Sequence, residues 1–245
     1  MPPLLYNLHL PFISLPPKIK PFAVKENVMI ADNVKEILSE ISAGNNLGEP
    51  ITLVGATKFR TAEEINEAIA AGLTDAGENK AQEFRDKAPL LKPVNYHFFG
   101  RLQKNKIKYL IGKCYLIQSV DSIELLDEIN RQSEQKGITQ NVLLEINLGE
   151  EQKGGFPLNA VYDALKSASK LKNVKVLGFM AMLPEYGEES YFITLLDKLR
   201  KLYDEYKGVY GFKYLSVGMS GDYPLTIKHG ANMIRVGTKI FGKRY

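Results

Sequence analysis

The sequence predicts an α/β protein built as a single closed (β/α)8 barrel. Three observations predict it. Short apolar runs alternate with stretches of helical periodicity, about eight such units fit within roughly 215 residues, and no Gly/Ser-rich linker divides them. Strands separated by helical stretches imply right-handed crossovers and a parallel sheet. An open doubly wound sheet is the other arrangement of the same units.

The elements follow in order. Val34, Ile37, Leu38 and Ile41 share one apolar face at helical spacing, and Gly44 stops that helix. Ile51 to Thr57 is a short apolar run of the kind buried on both faces of a parallel sheet. Thr61 with Glu64 three residues on forms a capping box for a helix carrying Ile65, Ala68 and Ile69, which Gly72 ends. Further strands are predicted near 73–77, 95–99, 114–119, 141–147, 174–180, 213–217 and 233–236. Further helices are predicted near 79–88, 103–111, 122–136, 157–170, 188–207 and 222–230.

The first 28 residues differ from the rest. Residues 1–25 hold six prolines and no acidic residue, and that proline density prevents a continuous helix. They read as a disordered Pro-rich tail. An upstream start preceding Met29, or a targeting segment, are the alternatives. The barrel domain then spans 29–245.

Composition removes several function classes. A hydrophobic fraction of 44% with 24% charged residues argues against global disorder. No apolar run approaches the ~20 residues of a membrane-spanning helix. The single cysteine, Cys114, cannot form an intrachain disulfide, and the chain reads as cytoplasmic. A net charge of +4 is too mild to argue for nucleic acid. Arg101, Lys104, Lys106 and Lys108 read as a solvated helix face, because only Tyr109 is near as a stacking aromatic. His97 and His229 lack metal-ligand spacing, so no metal is expected. Neither a dinucleotide fingerprint nor a P-loop occurs.

In a barrel, functional residues sit at the C-terminal ends of strands. That rule selects Lys58, Glu78, Asn79, His97, Gly100, Ser119, Asp121, Asn147, Met180, Met182, Ser216, Gly218, Ser220, Arg235, Gly237 and Thr238. Lys58 is the sharpest signal, since a desolvated lysine supplies the neutral amine that attacks a carbonyl. A solvent-reaching or salt-bridged lysine is its bland reading. Ser216-Val-Gly-Met-Ser-Gly-Asp222 and Arg235-Val-Gly-Thr238 are two glycine turns where the fold would place a phosphate. Ordinary turns are the alternative. His97, between Tyr96 and Phe98, reads as a hydrogen-bonded rim or core residue, and Cys114 as core. A Schiff-base lysine beside a phosphate cradle suggests pyridoxal 5′-phosphate or, alternatively, a phosphorylated sugar on a class I aldolase.

A longer set of motifs narrows this choice. Gly77-Glu-Asn79 with Gln82-Glu83, His97-Phe-Phe-Gly-Arg-Leu-Gln-Lys-Asn-Lys106, Ser119-Val-Asp-Ser122 and Glu151-Gln-Lys-Gly-Gly-Phe156 occur in order. Gly178-Phe-Met180, Leu215 to Asp222 and Ile234 to Gly242 complete the set. From about Val34 to Tyr245 the sequence resembles the pyridoxal phosphate homeostasis proteins. The resemblance implies an alanine-racemase-like barrel (fold type III) without that enzyme's β-rich second domain. It implies that Lys58 carries pyridoxal 5′-phosphate as a Schiff base, that Ser220, Gly237 and Thr238 hold the phosphate with Ser216 nearby, and that Gly218 and Met219 complete that turn. Arg235 would face the pyridine nitrogen and Asn79 would lie beside the ring. Phe59-Arg-Thr61 departs from the family's usual residues after the lysine.

An arginine keeps its proton and so faces an unprotonated ring nitrogen, which is a weak electron sink. The expected function is therefore a cofactor carrier and regulator that affects amino-acid balance, not an enzyme. An amino-acid racemase is the alternative, with His97 or Tyr223 as a second base. The expected partners are the cofactor itself and apo-enzymes that use it. The expected state is a monomer, with no nucleic acid and no membrane.

Overall fold

The structure is a computed structural model, and it describes residues 29–150 and 154–243. The predicted tail, part of the Glu151 to Phe156 motif, and Tyr245 lie outside the described residues.

Eight parallel strands close into a barrel. They are β1 (Thr52–Ala56), β2 (Asp75–Glu78), β3 (Asn95–Phe98), β4 (Leu116–Val120), β5 (Gln140–Asn147), β7 (Val174–Ala181), β8 (Tyr214–Ser216) and β9 (Met233–Val236). Each pairs with the next, and β9 pairs with β1 to close the ring. A two-residue strand, β6 (Phe156–Pro157), pairs beside the end of β5. No periodicity marks it, since two residues carry no period.

Helices α1 (Ile30–Glu40), α2 (Ala62–Ala70), α3 (Ala81–Lys87), α4 (Ile123–Gln135), α5 (Val161–Ala168), α6 (Glu189–Tyr210), α7 (Tyr223–Lys228) and α8 (Thr238–Phe241) fill the outer layer. The capping box at α2 is present: Glu64 N–H donates to Thr61 Oγ1, and Thr61 N–H donates to Glu64 Oε2 at 2.8 Å. Helix α1 starts four residues before the predicted apolar stripe, with Ile30 buried against the barrel. The predicted helix over 103–111 is corrected: Lys104–Tyr109 is a 3-10 helix. Gln103 supplies no side-chain cap, and only Ile107 of the six residues is buried, so little favours a full α-helical turn.

Two apolar clusters result. The larger lies between strands and helices and includes Val34, Ile65, Phe84, Ile129, Leu165, Leu199 and Ile240. The smaller fills the barrel interior with Val54, Phe99, Leu116, Leu143, Leu177, Met180 and Met233. Met180, selected above as a rim residue, belongs to this interior packing, and Met182 is the exposed one. Among the described residues no helix is long and apolar enough to cross a membrane.

Candidate functional site

The site forms where β1, β2, β8 and β9 end. Lys58 follows β1 by two residues and is half-buried, not sealed in the core. Its ammonium makes no hydrogen bond or ion pair with any described residue. It lies over the Phe59 ring, 5.1 Å from the centroid. In a chain with many surface carboxylates, this amine at a barrel mouth is left available for chemistry.

The backbone around Lys58 is held firmly. Phe59 is the one non-glycine described residue with positive φ, at 63°. That conformation is unfavourable for a bulky side chain and marks local strain. Its N–H donates to Glu83 Oε2 at 3.1 Å. On the other side, Thr57 Oγ1 shares its one proton between the Gly77 carbonyl at 2.9 Å and Glu78 Oε2 at 3.1 Å. Glu78 is fully buried and ion-paired with Lys87 at 2.7 Å. The Gly77-Glu-Asn79 and Glu83 motif residues thus serve the lysine's backbone.

Asn79 is half-buried at the end of β2, and its N–H donates to Glu78 Oε1 at 2.8 Å. Gly100 lies against it, so a Cβ at residue 100 would overlap the Asn79 carbonyl. That close approach explains the glycine in the loop after β3.

The two glycine turns come together through one hydroxyl. Ser220 Oγ accepts from the Gly237 N–H at 3.1 Å and from the Lys239 N–H at 3.4 Å. The amides of Ser220, Gly221 and Thr238 donate to no described acceptor. Free amides on adjoining turns suit an anion such as a phosphate. Met219 is exposed, and its amide is capped by Asp222. Gly218 has φ 113°, and a Cβ there would overlap Thr226 Oγ1, so both conformation and space require glycine.

Arg235 and Ser216 lie deeper, inside the barrel. Arg235 is 5% exposed and Ser216 is fully buried. Arg235 Nη1 donates to Ser216 Oγ at 2.7 Å and to the Ser216 carbonyl at 2.9 Å, and Nη2 donates to the Ala181 carbonyl at 3.0 Å. Its Nε–H donates to no described acceptor. Burial lowers the guanidinium to about 10, so it stays charged at neutral pH. Ser216 is committed to Arg235 and Gln118 and stands apart from the free amides.

His97 is a core residue, fully buried between Asp75 and Gln118. Cys114 is buried, and burial pushes its thiol far up, as for an inert core cysteine. Reading the sequence missed Gln118 and Lys87. Gln118 is one amide in an apolar strand, and Lys87 is one of many helix lysines.

Comparisons with known proteins bear on this geometry. The family model for the alanine racemase N-terminal domain matches residues 48–245. A pyridoxal phosphate homeostasis protein of Aquifex aeolicus is 38% identical over 220 residues, covering 88% of this chain and 95% of the relative. One from Escherichia coli is 30% identical over 230 residues, covering 88% and 97%. The chain belongs to this family of pyridoxal phosphate homeostasis proteins.

Solved structures agree with the membership. PipY of Synechococcus elongatus, solved with pyridoxal phosphate bound, superposes with a TM-score of 0.78 at 29% identity, covering 87% of this chain and all of that one. Alanine racemase from Clostridium difficile shares the fold, with a TM-score of 0.72 at 16% identity. This chain spans 58% of that enzyme's length. Family members are thus named for homeostasis of the cofactor, and the barrel is the one that racemases also use.

Proposed function

We propose that this protein binds pyridoxal 5′-phosphate on Lys58 and acts as a carrier and regulator of the cofactor, without catalysing a reaction of its own. The carrying observation is the unpaired Lys58 ammonium at the same barrel mouth as the free amides of Ser220, Gly221 and Thr238. The donor set fits the group: a primary amine for its aldehyde, backbone N–H groups for its phosphate, and a buried guanidinium for its ring. Held at Lys58, the group would supply an electrophilic carbon at the lysine nitrogen.

Each residue then has a task. Lys58 supplies the amine. Ser220 and Gly237 shape the phosphate turn, and Thr238 contributes its amide with Gly218 and Met219 alongside. Asn79 lines the ring's flank. Arg235, donor-only and charged at neutral pH, leaves the ring nitrogen unprotonated and so keeps the ring a weak electron sink.

The same geometry disfavours a racemase. That reaction needs a second acid/base group facing Lys58, and general acid–base help is worth about 10²–10⁴-fold. His97 is enclosed in the barrel core. The Tyr223 hydroxyl is held by Glu40 and Lys239 on the outer side of the barrel. We further propose that the carrier works in the cytoplasm as a monomer and delivers cofactor to apo-enzymes.

Titration of purified protein with pyridoxal phosphate tests the reading. A visible absorbance band should grow with unmodified protein and be absent with Lys58→Ala. A band of equal size in Lys58→Ala rejects it.

A further inference from the structure

Arg235 does not stand alone inside the barrel. Its Nη1 donates to Ser216 Oγ at 2.7 Å, and Ser216 Oγ donates to Gln118 Oε1 at 2.7 Å. Gln118 Nε2 meets His97 Nδ1 at 2.9 Å, and His97 Nε2 meets Asp75 Oδ1 at 3.0 Å. Ser216, Gln118 and His97 are fully buried, and Arg235 and Asp75 are 5% and 6% exposed. Four strands, β9, β8, β4 and β3, thus pass one continuous line of hydrogen bonds to the first residue of β2.

Chemistry fixes the direction of this line. An arginine can only donate, so Ser216 Oγ must accept from it, and the serine proton is free for Gln118 Oε1. The Gln118 amide nitrogen then faces His97, so Nδ1 accepts and the imidazole proton sits on Nε2. Nε2–H donates to the Asp75 carboxylate, which can only accept. Desolvation alone would raise the Asp75 carboxyl, yet hydrogen bonds from His97 and Thr74 bring it below its ordinary value. A donor-only end and an acceptor-only end let every link polarise the next in one sense.

We infer that Gln118 and His97 are positioning residues that fix the plane of the Arg235 guanidinium for the ring it faces, and this rests on the cofactor reading above. Apolar side chains of similar size would fill the same volume, as Leu116 and Leu143 do in the barrel interior. A buried polar line is costly unless every member is paired, and here every link is made. The guanidinium gains one wall of its cradle from Ser216 and another from the Ala181 carbonyl. Without Gln118, the Ser216 hydroxyl is free to rotate, and the Arg235 contact that depends on it loosens.

The test begins with unmodified, ligand-free protein. Long-range ¹H–¹⁵N spectra at neutral pH should show His97 protonated on Nε2 and bare on Nδ1. A protonated Nδ1 overturns the line. Gln118→Leu and Gln118→Glu are then titrated with pyridoxal phosphate. Affinity should fall by about tenfold in the leucine variant, the loss expected for one buried hydrogen bond. Its spectrum at saturation should be displaced from wild type. The glutamate, which still accepts from Ser216, should fall between. Affinities and saturated spectra equal to wild type in both variants overturn the inference. A merely structural role for Gln118 would lower the melting temperature and leave the saturated spectrum unmoved. Should the unmodified protein take up no cofactor, the functional reading fails, and the Nη protons of Arg235 decide the inference. Slow exchange in wild type that is lost in the variants supports it, and equal protection in all three overturns it.

Discussion

Lys87 Nζ donates to the backbone carbonyl of Thr57 at 3.0 Å, and Thr57 immediately precedes Lys58. The same ammonium bonds Glu78 at 2.7 Å and Glu83 at 2.8 Å, and Glu83 accepts from the Phe59 N–H. One ion cluster therefore grips the backbone on both sides of Lys58. The amine owes its fixed origin to helix α3, whose Lys87 and Glu83 hold the residues on either side of it.

The first prediction concerns that cluster. Lys87→Met leaves Glu78 buried with its cationic partner removed, which should cost about 3–5 kcal/mol. Pairing it with Glu78→Gln should recover most of the loss, because the uncompensated charge is gone. Urea unfolding of the two single variants and the double variant measures the coupling. Strict additivity would show that the cluster is not a unit.

The second concerns Phe59. Its φ of 63° favours glycine, and its ring sits 4.3 Å from the Lys80 ammonium and 5.1 Å from that of Lys58. Phe59→Gly should hold or raise stability by up to about 1 kcal/mol, since the strain is relieved. Phe59→Val should lower it by about 1–2 kcal/mol, because a β-branched residue resists this conformation. Thermal unfolding of the two variants reads the difference, and equal melting temperatures would refute the strain.

Much of this was legible in the sequence, and the exceptions have physical causes. The barrel followed from periodicity because strands buried on both faces read as apolar runs and their helices as amphipathic stretches. Lys58 and the glycine turns stood out because they interrupt that pattern at strand ends. The specific roles of Arg235, Asn79 and Thr238 came from family resemblance, as spacing alone does not distinguish a ring contact from a turn. Gln118 was invisible because one amide inside Leu116 to Val120 has no period to betray it, and its partners, His97 and Ser216, come from two other strands. Lys87 was invisible because a basic residue in the last turn of a helix is already explained by the helix dipole. The 3-10 segment at Lys104–Tyr109 escaped because its apolar spacing also fits an α-helix.

The third prediction is a pH dependence. Glu49 joins Arg200 at 2.8 Å and Lys207, tying the loop after α1 to α6. Hydrogen bonding from Arg200, opposed by partial burial and aided by Lys207, lowers its carboxyl from 4.5 to about 2. A folded-state value below the unfolded one gives stability that is complete above pH 4.5 and lost as pH falls through 2. The loss should be about 2 kcal/mol across that window, less than the full shift because the pair is partly solvated. Glu49→Gln should flatten the stability curve between pH 5 and 2. An unchanged slope in that variant would assign the acid sensitivity to other carboxylates.

Attachment at Lys58 is what everything else here depends on. Protein loaded with pyridoxal phosphate is reduced with borohydride, digested, and mapped by mass spectrometry. A phosphopyridoxyl label is expected on Lys58, with neither Lys80 nor Lys87 labelled comparably. A label spread evenly over surface lysines, or concentrated on another lysine while Lys58 stays unmodified, would contradict it.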